Sequence, residues 1–536
     1  MARTSSSSTR DRIALRVLQF GAVAIVLAAL PYKLFDLDRY FVPKELILHV
    51  CAAVATLVCL SARRRLGLTT VDTLLAGFLL AGIAAALFAA NQWAAERAVA
   101  ISLSGVALFW VASVLREGGM VRPLIVALAV GIVVGAATSL AQAYGVQTEY
   151  FSLNRAPGGT FGNRNFVAHL SAIGTPVVVL AALTARRGTG SLLGGLGLAI
   201  ISAALVLSRS RAAWLAVIAL AIPAGGLAVL TWKRWCEPRT LRRAVMLGIA
   251  VVAGAVAAIV LPNRLEWKSE SPYLDSATGL VNYKEGSGRG RLVQYGNSLR
   301  MTEAHPLLGV GPGNWPVVYP KFASKNDPSM SQDETVTSNP WPSSDWIAYL
   351  SERGVVGFAL LLLAMLGLVV RAIRDLHAGR GTRDPERVLT AIALVGTLVA
   401  VAVVGAFDAV LLVAAPTFFV WTLAGALAPP ASSAFTLETG VRPLGPAVAV
   451  GLAAVMVGRT AAQIAAIVVF STSAKLAAID RAAHLDPGSF RIRTRLAQAY
   501  IARGDCVRGR PQAHAAHDLF PSAAEPRHQI AACGGR

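Results

Sequence analysis

Apolar residues run through this chain in long blocks rather than in short alternations. Blocks can be drawn over residues 13–31, 44–61, 70–90, 97–115, 122–143, 166–184, 190–207, 210–231, 244–262, 345–370, 388–406, 409–428 and 446–470. Each approaches the roughly 20 residues that an α-helix needs to cross a hydrocarbon core. In lipid a spanning segment must satisfy its own backbone, so blocks of this length predict helices. The pattern predicts an all-α polytopic membrane protein of about 12–13 transmembrane helices. One large polar interval, residues 263–344, interrupts it and is rich in Arg, Gly and Trp. A second change comes after residue 471, where AKLAAIDRAAHLDPGSFRIRTRLAQAYIARGDC takes a helical period with a DPGS break. Ala482, Leu485, Leu496, Ala497 and Tyr500 there predict two amphipathic helices joined by a turn.

Composition agrees and adds orientation. The 536 residues are 55% hydrophobic and 15% charged, and the mean hydropathy is +0.57. A net charge of +21 would point a soluble protein towards nucleic acid, but here the cations gather at helix ends. Arg10, Arg12 and Arg16 precede the first block, and Arg63, Arg64 and Arg65 follow the second. Arg186 and Arg187 follow the sixth, Lys233, Arg234, Arg239, Arg242 and Arg243 the eighth, and Arg371, Arg374, Arg380, Arg383 and Arg387 the tenth. All five groups share one side if the N-terminus (1–12) is cytoplasmic, as positive-inside charge requires. Membrane topology then accounts for the charge, and no nucleic-acid partner is expected. The expected organisation is helices over 13–262, a large external loop over 263–344, helices over 345–470 and an external helical tail over 471–536. The first block has the basic start of a signal peptide. It lacks a clean small-residue cleavage site and leads through Pro31–Lys44 into the next block, so an uncleaved helix is expected. Cys506 and Cys533 fall in the external tail, where an oxidising medium permits either a disulfide or two free thiols.

Three external features share one chemistry. GGTFGNRNFVAHL (Gly158–Leu170) enters the sixth block from outside, with Asn163 and Asn165 placed either to cap the helix or to offer amide donors. LSRSRAAW (Leu207–Trp214) sets Arg209 and Arg211 between two apolar helices. Arginines at that depth need an anionic partner or a wet cavity, unless they snorkel to headgroups, and their bidentate fork suits phosphate. In the large loop, GSGRGRLVQY (Gly286–Tyr295) carries Arg289, Arg291 and Tyr295, and Leu292, Leu299 and Met301 have the spacing of an interfacial helix. His305 is either a catalytic group or the cap of that helix. The glycines of GVGPGNW (Gly309–Trp315) predict a backbone turn. They lack the lysine of a nucleotide loop.

The order GTFGNRN, SRSRAAW, GRGRLVQY with HPLLGVGPGNW, and SSDWIAYLSERGVVG resembles the O-antigen ligase and polymerase superfamily over roughly residues 70–430. The resemblance implies a bacterial inner-membrane enzyme whose large loop is periplasmic. Its donor would be a glycan on undecaprenyl diphosphate, and its acceptor a lipid A core sugar or a second lipid-linked repeat. It implies an inverting transfer that needs no cofactor, metal or nucleotide. Carried over by position, Arg211 and Arg291 would hold the diphosphate, with Arg209 and Arg289 assisting. Asn163, Asn165 and Tyr295 would face the glycan or the diphosphate. Ligase-like members carry His-Asn eleven and ten residues before the glycine that stands here as Gly354, and this chain has Ser343 and Ser344 there. Asp345 is the nearest substitute base, with His305 and Glu303 as alternatives from the loop and Ser343 as a further candidate. An Asp at that place is also an ordinary helix cap. The tail resembles one and a half tetratricopeptide repeats, a candidate protein-binding module, or is a plain helical cap. Two other classes compete: a transporter or flippase for a lipid-linked glycan, and an inactive scaffold of the same fold. Against the transporter, acidic residues inside the blocks are scarce, Asp408 sits at a block end, and no internal repeat is visible.

Overall fold

Short polar caps cut the apolar stretches into helices. Thr69 and Asp72 close a capping box, and the side chains of Asn91, Asn163, Ser344 and Asp384 each accept a backbone N–H at a helix start. The computed structural model describes residues 9–32, 35, 38–61, 65–151, 157–267, 269–279, 286–333, 335–438 and 444–534. The first helices are α1 (Thr9–Leu27), α2 (Asp38–Ser61), α3 (Thr70–Leu87), α4 (Gln92–Glu117) and α5 (Val121–Ala143). Next come α6 (Arg164–Leu183), α7 (Gly188–Ser208), α8 (Arg211–Leu230), the short α9 (Trp232–Trp235) and α10 (Pro238–Val260). The polar interval holds α11 (Pro272–Thr278), α12 (Gly286–Ala304) and α13 (Trp315–Val318). Then follow α14 (Asp345–Ala378), α15 (Pro385–Gly405), α16 (Ala414–Leu427) and α17 (Leu444–Thr472). The tail is α18 (Leu476–Leu485), α19 (Phe490–Ile501), α20 (Cys506–Leu519) and α21 (Ala524–Ala532).

Among the described residues eleven helices are long and apolar enough to cross a membrane. The chain is an all-α, multi-pass membrane protein, apart, among the described residues, from one antiparallel ribbon of β1 (Arg65–Leu68) with β2 (Phe435–Glu438). Two expected spans differ from the rest. The helix α1 carries Arg10, Asp11, Arg12 and Arg16 in its first two turns. The run drawn over 409–428 becomes the 14-residue α16, which at 1.5 Å per residue is about 21 Å long. It starts late because residues 406–413 form a turn held by Asp345. Every residue of α16 is buried, so it is a core helix wrapped by its neighbours.

The helix α14 is broken. Gly354 lies at φ 64° and ψ −176°, a conformation open essentially to glycine alone. The loop after α12 docks into this break. Val310 N donates to Ser351 O (3.0 Å), Gly311 N to Glu352 O (2.9 Å) and Val355 N to Pro306 O (2.8 Å). Gly309, Gly311 and Gly313 all take positive φ, so GVGPGNW is a backbone turn. The Glu352 carboxylate closes it by accepting from Gly313 N (2.8 Å) and Trp315 N (3.1 Å).

The polar interval has its own small core of Met301, Val310, Trp315, Tyr319 and Met330. Buried polar groups lock α12 to it. Asn297 Nδ2 and the Tyr319 hydroxyl both donate to Asp327 Oδ2 at 2.6 Å. Burial, followed by the Asp327 contact, raises the Tyr319 hydroxyl above its ordinary value. Leu292 and Leu299 are exposed on α12 as an interfacial face requires, whereas Met301 turns into this core instead. In the tail, Cys506 and Cys533 are joined by a disulfide.

Candidate active site

The elements that carry the sequence motifs meet at one end of the bundle, opposite the β1–β2 ribbon. The buried His169 of α6 is at the centre. Its Nε2 lies 3.5 Å from Ser210 Oγ, immediately before Arg211 at the start of α8. Its Nδ1 is buried with no hydrogen-bond partner. Arg291 of α12 and Asp408 are the charges acting on this ring. One turn earlier on the same face of α6, Asn165 Nδ2 donates to Asp408 Oδ2 (3.3 Å). Asn163 is exposed and spends its side-chain oxygen on the Asn165 N–H (2.9 Å).

The arginines divide into two groups. Arg209 sits in the left-handed region at φ 52°. Its Nε donates to Ser276 Oγ (2.8 Å), and its guanidinium stacks on Trp267 at 4.7 Å. Desolvation holds it below its ordinary value, against the opposing charges of Asp275 and Tyr273. Arg211 Nη1 donates to Gly279 O (2.5 Å). Both arginines act electrostatically on Arg164, the first residue of α6. Three cations thus share a neighbourhood, with Asp275 acting on Arg209. Arg291 approaches from the polar interval, and its Nε is buried without a partner. Arg289 is exposed.

Tyr295, one turn beyond Arg291, places its hydroxyl 2.7 Å from the carbonyls of both Ser343 and Ala406. Ser343 N donates to Gln294 Oε1 (2.6 Å). Tyr295 and the Ser343 main chain therefore tie α12 to the start of α14 and to the 406–413 turn. Asp345 is fully buried. Its two oxygens accept from Val410 N (2.9 Å) and Leu411 N (2.8 Å). His305 is exposed at the end of α12, fourteen residues and about 21 Å of helix beyond Arg291. The structure thus gathers Arg209, Arg211, Arg291, Asn165, Tyr295, Ser343 and Asp345, and leaves His305, Arg289 and the Asn163 side chain outside.

Three members escaped the reading of the sequence. His169 stands four residues after Asn165, the helical spacing that shares a face, and Arg164 lies inside the same motif. Asp408 shows only as an acid at the edge of an apolar block.

Residues 196–362 match the family model described as O-antigen ligase. This part of the chain is similar to the O-antigen ligase family. The matched stretch contains Arg209, Arg211, Arg291, Tyr295, Ser343 and Asp345, and excludes α6 and the 406–413 turn. No curated protein matches the chain.

Proposed function

We propose that this chain moves an oligo- or polysaccharide from undecaprenyl diphosphate to a periplasmic acceptor at the bacterial inner membrane. The acceptor would be a lipid A core sugar or a second lipid-linked repeat. The reading rests on the buried, partnerless Arg291 Nε and His169 Nδ1 in a neighbourhood that also holds Arg164, Arg209 and Arg211. Buried polar atoms are normally satisfied, and orphans beside clustered guanidiniums call for a ligand rich in acceptor oxygens.

In the transfer the bond between the sugar carbon and the diphosphate oxygen breaks, and its electron pair leaves with the diphosphate. Charge grows on those oxygens, and fixed cations stabilise it in the transition state more than in the ground state. Arg211 and Arg291 take that role, with Arg164 and Arg209 in support. The acceptor hydroxyl bonds to the same carbon and gives up its proton. Both oxygens of Asp345 are engaged by backbone donors, so we assign it to holding the 406–413 turn. Asp408 on that turn, half-buried and beside Asn165, is the carboxylate placed to take the proton.

Complementation of a deletion strain with Arg211→Ala, Arg291→Ala and Asp408→Asn tests this, read as surface polysaccharide on gels and as lipid-linked donor. Single repeats without longer chains identify a polymerase. Uncapped lipid A with accumulated lipid-linked polymer identifies a ligase. Full rescue by both arginine variants overturns the mechanism.

A further inference from the structure

A cavity lies beside the arginine site, separated from it by aromatic rings in edge-to-face contact. Phe41 meets Phe166 at 5.4 Å and Trp341 at 5.2 Å, and Phe166 meets Trp341 at 6.3 Å. Phe41 and Trp341 also line a cavity of about 250 Å³ between α2, α4, the break in α14 and the tail. Nothing in the departure of the diphosphate uses this space.

Its chemistry differs from that of its neighbour. Three carboxylates (Asp38, Glu45, Glu352) and three guanidiniums (Arg97, Arg353, Arg459) line it, and most are spent internally. Arg97 grips Glu45 through two 2.8 Å bonds. Glu352 holds the glycine turn, Arg353 Nη2 donates to Ser102 Oγ (2.6 Å), and Arg459 pairs with Glu96 and stacks on Trp93 at 4.5 Å. A polyanion gains nothing in such a balanced lining. Aromatic surface remains, from Phe41, Trp341 and Phe520. With them stands the half-open Asp38, 42% exposed and 3.6 Å from Arg97. A mostly apolar wall with a few placed polar groups suits a neutral, hydroxyl-rich ligand with an apolar face.

The tail roofs the cavity. Asn91 Nδ2 donates to Leu519 O (3.1 Å), while Asn91 N donates to Asn314 Oδ1 (2.7 Å) and Asn314 Nδ2 donates to Asn91 O and Pro312 O (3.0 Å each). Gly488 packs so closely on Trp93 that a Cβ there would lie 2.7 Å from its Cγ. The opposite wall includes Leu411, whose N–H is held by Asp345. The cavity and the Asp408 turn are therefore continuous through residues 408–412.

We propose that this cavity is a saccharide subsite for the acceptor, closed on one side by the C-terminal tail. It rests on the transferase reading for the word acceptor. A sugar held against these aromatics lies beside Leu411 and Leu412, on the turn that carries Asp408. The tail then helps choose the acceptor, because Gly488 and Phe520 shape the space.

The test uses the full chain in lipid nanodiscs and the oligosaccharide fraction released by mild acid from the host's own envelope. Binding is read by saturation-transfer difference NMR, without any donor. Wild type and Arg291→Ala should bind this fraction equally. Ala98→Phe, which fills the cavity, should weaken binding at least tenfold while retaining undecaprenyl diphosphate binding and the wild-type melting temperature. Asp38→Asn, at a half-exposed position, should weaken it several-fold without a packing change. Absence of binding to wild type, or unchanged binding by both cavity variants, overturns the proposal. Failure of the transfer mechanism would instead show as full activity in Arg211→Ala and Arg291→Ala, with this binding unchanged.

Discussion

Asp345→Asn separates a catalytic carboxylate from a structural one. The wild-type side chain is wholly buried and accepts from Val410 N at 2.9 Å and Leu411 N at 2.8 Å. Hydrogen bonds to a charged group contribute about 1.5–3 kcal/mol each. Asparagine keeps one acceptor oxygen but turns an amide N–H₂ towards the second backbone N–H. One bond is lost, and a buried donor is left facing another donor, itself a penalty of about 1–3 kcal/mol. The net expectation is about 2.5–6 kcal/mol against the 406–413 turn, a large part of the ~5–15 kcal/mol that holds a typical domain. At 1.4 kcal/mol per decade, amide exchange in residues 407–412 should accelerate about 60- to 20,000-fold. Full-length protein in nanodiscs, followed by hydrogen exchange and by thermal melting, reads this directly. The variant should melt lower, and its residual transfer should keep the wild-type pH profile. Unchanged exchange and melting with transfer reduced a hundredfold or more would refute this reasoning and return Asp345 to the role of base.

Other outcomes follow from the same geometry. Gly354→Ala places a Cβ 2.1 Å from Leu307 O at a glycine-only backbone conformation, a strain of about 1–3 kcal/mol before the clash. It should expose residues 305–313 to limited proteolysis, and wild-type resistance would contradict the docking described. His169→Ala should weaken undecaprenyl diphosphate binding in nanodiscs by tenfold or more. An unchanged affinity would remove His169 from the site. The Cys506–Cys533 bridge spans 27 positions, for which loop-closure entropy gives about 3–4 kcal/mol. Cys506→Ser should make the tail protease-sensitive. On whole spheroplasts, both thiols should label with an impermeant maleimide only after reduction, and labelling before reduction would count against an oxidised, external tail.

The membrane helices were legible because their signal is long and redundant: some twenty apolar residues, flanked by caps and arginines. The site was legible only in part. Arg211, Arg291 and Asn165 announce themselves as polar residues at places where burial is costly. His169 gives no such signal, because a histidine within an apolar helix is equally a packed core residue. What distinguishes it is an unsatisfied Nδ1 and the approach of Arg291, more than a hundred residues away in the chain. Asp345 is the converse case. Its position at a helix start made it look like a free carboxylate near the missing loop histidine, and only the path of residues 410–411 shows both oxygens engaged. The break at Gly354 was hidden for a similar reason, since the apolar pattern of α14 continues straight through it.

That break explains how a polar loop can serve a membrane site with accuracy. The half-helix from Asp345 to Arg353 is short, rigid and buried along much of its length. Its first residue fixes the turn that bears Asp408. Ser343, two residues before it, is tied to Gln294 and Tyr295, one turn from Arg291. Its last residues hold the glycine turn through Ser351 O, Glu352 O and the Glu352 carboxylate, and Glu352 and Arg353 reach the neighbouring cavity. The cation from the loop, the carboxylate turn and the cavity wall are thus referenced to one helical segment rather than to separate loops. A displacement of that segment by an ångström would move all three together, and misplacement on that scale is enough to cost a hundredfold in rate. A continuous helix could not do this, because its carbonyls would be consumed within its own ladder. The glycine that interrupts α14 releases Ser351 O and Glu352 O for the loop, and so joins the membrane bundle to the polar interval.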